Sequence, residues 1–183
     1  MDSAVLNKCK LEIKEPHYCS EKELLSFHQL VEKGGKVMLL GLFGRIKNCE
    51  LLAFCYLGNK LIATSSIKKP NEDYVNGIIF KSKLDRKFEN LNFEIGYSFT
   101  EEKFRRNGIS KELKKELLRK MQSRNGIIFS TTAIKSSQNF LKENGFKKYG
   151  KPYDGDNDKS ITFEKKWRKY ILDDVRIKYY LYC

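Results

Sequence analysis

An α/β fold, in which helices cover a mixed sheet, is what the amino-acid sequence predicts. Three observations carry that expectation. A capping-box signature precedes an apolar stripe with helical spacing near the N-terminus. Two apolar runs flank Gly58-Asn59, the pattern of a β-hairpin. From Phe93 onward, β-rich and helix-periodic segments alternate, as they do when helices pack on a sheet.

In chain order, Ser20-Glu-Lys-Glu23 caps a helix over residues 21–32 that presents Leu24, Leu25, Phe27, His28 and Val31, and Gly34-Gly35 stops it. Residues 37–48 are ambiguous. Val37, Leu40, Leu42 and Ile46 allow an interrupted helix, whereas Gly41 and Gly44 oppose a regular one. Residues 51–57 and 60–67 form the hairpin, closed off by Lys68-Lys69-Pro70-Asn71. Residues 74–82 read as a helix or an irregular crossing, and residues 93–99 as a strand. Ile109, Leu113, Leu117, Leu118 and Met121 then mark one face of a helix running from Gly108 to about Arg124. A buried strand is expected over 127–134 from its β-branched content. A helix over 136–144 follows, capped by Ser136 or Ser137 and ended by Gly145. A strand over 146–149, a polar loop over 151–158 and a strand over 160–166 complete the order. The tail, 167–183, alternates charge with tyrosines.

The 183 residues suit a single domain, 1–183, able to bury a core. Forty per cent hydrophobic content separates the chain from disordered proteins. No apolar run approaches the roughly 20 residues of a membrane-spanning helix, and no signal-peptide pattern opens the chain. Five cysteines, an odd number without a Cys-x-x-Cys pair, argue against a disulfide framework or a zinc site. A cytoplasmic location and no metal are therefore expected. The net charge of +13 suits a polyanionic ligand. Because the lysines are spread along the chain, nucleic acid is kept as a partner but not favoured. Oligomeric state is left open, a dimer included.

The functional signal lies where the strand at Phe93 meets the helix at Gly108. Arg105, Arg106, Asn107 and Gly108 stand at the helix entrance, where unpaired backbone N–H groups and the positive end of the dipole converge. Such an entrance is suited to phosphate or pyrophosphate. Glycine lets the backbone approach an anion closely, and arginines add charge-assisted donors.

The order strand, Arg105-x-x-Gly108-x-Ser110, helix resembles the acyl-CoA signature of the GNAT N-acetyltransferase superfamily, with serine in a place usually held by glycine or alanine. Asn92-Phe-Glu-Ile-Gly-Tyr97 is similar to the family's fourth strand, and Phe140-Leu-Lys-Glu-Asn-Gly-Phe-Lys-Lys148 to its helix-then-Gly-Phe ending. Together these blocks cover about 92–150. The resemblance implies a GNAT-like, mostly antiparallel central sheet flanked by helices, with the acyl-CoA site at a split between the fourth and fifth strands. It implies acetyl-CoA as co-substrate, lined by Ser98, Phe99 and Thr100, with Arg105, Arg106, Asn107, Gly108, Ile109 and Ser110 at the pyrophosphate. Lys135 and Ser136 would stand near the thiol end. Glu94 matches the strand glutamate that serves some members as general base. The family's usual acid, a tyrosine four residues before the helix-ending glycine, is replaced by Leu141. Tyr97, Tyr149 and Tyr153 are substitute donors, or water supplies the proton.

The function so implied is transfer of an acetyl group to a primary amine by direct attack, since no cysteine or serine stands in a nucleophile motif. The alternatives are a GNAT-like protein directed at nucleic acid, modifying aminoacyl-tRNA or DNA bases, and a CoA-binding protein without turnover. His17 and His28 lie outside all these motifs.

Overall fold

The structure, a computed structural model, describes residues 4–84, 91–154 and 166–172. The chain divides into two compact units, Met1–Lys68 with Ile95–Ser123, and Lys69–Glu94 with Arg124–Cys183. It has the α/β architecture of a mixed sheet flanked by helices.

In the first unit the strand order is β1 (Cys9–Lys14), β2 (Leu51–Leu57), β3 (Lys60–Lys68) and the later part of β4 (Phe93–Thr100). β1 and β3 both run antiparallel to β2. Helix α1 (Glu21–Lys33) starts at the expected capping box: the Glu23 N–H donates to Ser20 Oγ at 3.3 Å, and the Ser20 N–H donates to Glu23 Oε2 at 2.8 Å. Its apolar stripe places Phe27 edge-on to Phe54 of β2, with ring centroids 5.3 Å apart, in a core shared with Leu42 and Ile46 of α2 (Leu42–Lys47). The ambiguous 37–48 segment thus resolves into a loop and one short helix, entered by a left-handed Gly41.

Both α1 and α4 (Ile109–Lys120) pack on β3, so Ile62 to Ile67 are buried on both faces. That burial would strand the hydroxyls of Thr64, Ser65 and Ser66, but each has a partner on β4. Thr64 Oγ1 donates to the Tyr97 carbonyl at 3.0 Å, Ser66 Oγ donates to the Gly96 carbonyl at 3.2 Å, and Ser65 Oγ meets Ser98 Oγ at 2.8 Å. β4 is therefore held at its middle by side chains of β3.

In the second unit the order runs β4, β5 (Ile128–Thr132), β7 (Lys166–Leu172), β6 (Phe146–Asp154). β4 and β5 run parallel, paired at Phe93↔Ile128 and Glu94↔Phe129, while β7 is antiparallel to both β5 and β6. Helix α3 (Glu72–Ser82) buries Val75 and Ile78 against Leu91 and Phe129. At Gly150 of β6, φ is +69°, and a Cβ would stand 2.5 Å from the Ser82 carbonyl oxygen, so glycine is what lets β6 approach the end of α3.

Several expectations change. Strand β1 was not anticipated, although Cys9-Lys-Leu-Glu-Ile-Lys14 alternates as a strand should. Residues 74–82 are helical, within α3, whose N-cap Asn71 accepts from the Tyr74 N–H at 2.9 Å. The helix from Gly108 ends at Lys120 and gives way to a 3-10 turn, Met121–Ser123. Helix α5 (Lys135–Glu143) begins one residue early, and neither Ser136 nor Ser137 caps it. Ile134 is the N-cap, and its N–H donates to Thr132 Oγ1 at 3.1 Å. The expected polar loop is strand as far as Asp154, because β6 continues past a register shift to pair with β7. Residues 160–165 of the expected last strand lie outside the described residues, and β7 begins at Lys166.

Candidate functional site

The turn between β4 and α4, in the first unit, is built from its anchors inward. Glu101 is 8% exposed, its N–H donates to the Ile62 carbonyl, and its carboxylate meets Lys60 at 3.0 Å and Lys33 at 3.3 Å. The hydrogen bonds from Lys60 and then Lys33 hold its carboxyl below the ordinary range against the opposing effect of burial. After the 3-10 turn Glu102–Phe104, Asn107 Nδ2 donates to the carbonyls of Phe104 and Arg105, both at 3.1 Å. Arg106 and Gly108 are left-handed, with φ of 65° and 76°. Gly108 is the N-cap of α4 and offers no side-chain cap. A Cβ built there meets nothing within 4 Å, so the helix entrance faces open space. Ile109, 1% exposed, roots the entrance in the core. This is the geometry of an anion cradle: backbone N–H groups at a helix start beside a left-handed turn.

The expected lining residues gather at the same end. Arg105 Nε donates to the Thr100 carbonyl at 3.2 Å, and its guanidinium lies 5.8 Å from the Phe99 ring centroid. Ser98 is exposed. Thr100 Oγ1 is buried and has no hydrogen-bond partner, so it has bonding capacity for a ligand group laid along β4. Tyr97 has φ of 47°, Lys68 Nζ sits 5.2 Å from its ring centroid, and Arg45 hydrogen-bonds its hydroxyl. Burial raises its pKa, with Lys68 and Arg45 opposing, so the phenol is protonated at neutral pH.

The second unit holds Glu94, which is 3% exposed. Its Oε1 accepts from the Tyr74 hydroxyl at 3.0 Å and from Thr131 Oγ1 at 3.1 Å. Tyr74 and Thr131 were not anticipated, because nothing in the local pattern of either marks a partner for Glu94. Lys135 and Ser136 are exposed in the first turn of α5, which has no side-chain cap. Leu141 is 2% exposed and belongs to the core. Tyr149 packs against the cluster of Val75, Ile78, Leu91 and Phe129. Among the described residues no group of three or more His, Cys, Asp or Glu is placed to hold a metal, and no helix is long and apolar enough to cross a membrane.

A family model described as the acetyltransferase (GNAT) family matches residues 17–146. The chain belongs to the GNAT acetyltransferase family. Solved structures agree on the GNAT fold. Escherichia coli ElaA superposes with a TM-score of 0.64 at 14% identity, covering 89% of this chain and 98% of that one. An acyl-CoA N-acyltransferase from Pseudomonas aeruginosa gives 0.62 at 13%, with the same coverage. A chain of the NatC complex bound to Gag peptide and CoA gives 0.59 at 17%, covering 90% and 98%. No curated protein matches the sequence. The GNAT fold binds acyl-CoA, and the residues here fit such a group: an uncapped, open helix entrance, two adjacent arginines and an orphaned buried hydroxyl at Thr100.

Proposed function

We propose that the chain is an N-acetyltransferase that moves an acetyl group from acetyl-CoA to a primary amine by direct attack. The entrance to α4 is the observation that supports this most, since it is open, uncapped and preceded by Arg105 and Arg106. Ile109, Ser110 and Gly108 offer main-chain donors to the pyrophosphate, the two arginines add charge, and Ser98, Phe99 and Thr100 line the arm. When bound, acetyl-CoA supplies an activated thioester. The family resemblance assigns Lys135 and Ser136 to its thiol end.

An amine is nucleophilic only when neutral, so Glu94 serves as general base, taking a proton from the amine directly or through one water. Its burial keeps the carboxylate from being spent on solvent. A CoA-binding protein without turnover is the competing reading, and the buried Leu141 in the family's tyrosine place favours it.

Free-thiol release from acetyl-CoA, measured against a panel of monoamines, polyamines, peptides with free N-termini and aminoacyl-tRNA, tests the assignment. Amine-dependent release is expected, with kcat lowered about 10²- to 10⁴-fold in Glu94→Gln. Release with no amine on the panel would leave the competing reading, and release only with nucleic acid would replace the primary-amine acceptor by an RNA-borne one.

A further inference from the structure

We infer that Tyr74, carried by α3, is a positioning residue for Glu94: with Thr131 it clamps one carboxylate oxygen, keeping the base aimed in one direction. This inference rests on the reading of Glu94 as general base.

A carboxylate that is 3% exposed has lost most of its water, so donors within the fold must take the place of that water. Two hydroxyls do so at a single atom, Tyr74 Oη at 3.0 Å and Thr131 Oγ1 at 3.1 Å, both donating to Oε1. They arrive from different elements. Thr131 is two residues beyond Phe129, which pairs with Glu94, so both side chains share a face of the parallel pair. Tyr74 comes from α3 on that same face, where Val75 and Ile78 pack on Phe129. Two donors from two directions on one oxygen restrict rotation of the carboxylate plane, which one donor would not.

The placement of Tyr74 is itself controlled. Its N–H is held by the Asn71 cap at 2.9 Å, and Val75 and Ile78 of the same helix seat it in the core. Tyr74 contributes little to that packing: 41% of the residue is exposed, and the phenol tip is the part turned inward. What the position uses is the hydroxyl. Burial of that tip, then the charges of Glu94 and Tyr153, push the phenol well above its ordinary pKa, so it remains a donor throughout the physiological range. Tyr153 of β6 stands close enough to the phenol to act on it electrostatically.

The test compares wild type, Tyr74→Phe, Thr131→Val and Glu94→Gln, with acetyl-CoA and the amine that gives most thiol release. Tyr74→Phe is expected to lower kcat by about 10- to 100-fold, the worth of a hydrogen bond to a charged group. KM for acetyl-CoA and the melting temperature stay near wild type, while the acid limb of the pH–rate profile moves to higher pH. Thr131→Val is expected to move the acid limb the same way, and it carries the test from the other donor should Tyr74→Phe melt early. An unchanged kcat and acid limb in both variants, alongside a slow Glu94→Gln, overturns the positioning role and leaves the base reading intact. A fully active Glu94→Gln, or a wild type that releases no thiol with any amine, removes the base reading and the inference with it.

Discussion

Replacing Gly108 separates the two properties that suit the α4 entrance to a pyrophosphate, its backbone conformation and its lack of negative charge. Gly108 has φ of 76° and ψ of −7°, and a Cβ there touches nothing within 4 Å. Gly108→Ala and Gly108→Glu therefore pay the same left-handed strain, about 1–2 kcal/mol, with no clash added. At this chain length each kcal/mol lowers the melting temperature by about 2–4 °C, so both variants should melt several degrees early and by similar amounts. They differ in charge. A carboxylate about 5 Å from a doubly charged pyrophosphate is repelled by roughly 1.7 kcal/mol even at the dielectric of water, at least about 15-fold in Kd. Near a protein surface the penalty is several times larger. Titration calorimetry with acetyl-CoA should show Gly108→Ala binding within a few-fold of wild type and Gly108→Glu weakened by more than 10-fold. The gap between them should narrow as salt is raised, because screening acts on the charge and not on the strain. Equal affinity of Gly108→Glu and wild type, or equal loss in both variants, would refute the electrostatic account of this cradle.

Two further outcomes follow from groups around the same elements. Lys60 and Lys33 hold the Glu101 carboxyl below its ordinary value of 4.5, so the folded chain takes up that proton at lower pH than the unfolded chain does. The stability the pairs supply is fully present above about pH 4.5 and is lost as pH falls through the depressed folded value. Thermal melts should show Glu101→Gln below wild type at pH 7 by no more than about 1 kcal/mol, since both lysines are more than half exposed. That difference should begin to close as pH falls below about 4.5, and a difference that does not shrink on acidification would mean the ion pairs are not its source. Leu141→Tyr, which restores the family's tyrosine, should cost about 1–3 kcal/mol by overfilling a core position only 2% exposed. Thiol release should not rise in Leu141→Tyr, and a faster enzyme with an unchanged melting temperature would contradict that reading of Leu141.

What the sequence determined by itself is local. The capping box at Ser20 and Glu23, the hairpin at Gly58-Asn59 and the Arg105-to-Ser110 turn each lie within a few consecutive residues. Cap chemistry, side-chain period and glycine conformation act over that range, so these features can be read from residue order and were found where expected. The same range explains why the entrance to α4 could be singled out from residue order alone. Tertiary structure alone decided the surroundings of Glu94. Tyr74 and Thr131 lie 20 and 37 residues away in the chain and meet its carboxylate only because β5 pairs in parallel with β4 and α3 packs over that pair. It also decided that β6 runs on to Asp154, since a strand with lysines, glycine and proline persists only where a neighbour accepts its hydrogen bonds, here β7. Burial of Thr64, Ser65 and Ser66 is likewise invisible in a row of small polar residues. Their burial is affordable because β4 lies beside β3 and supplies a partner for every hydroxyl.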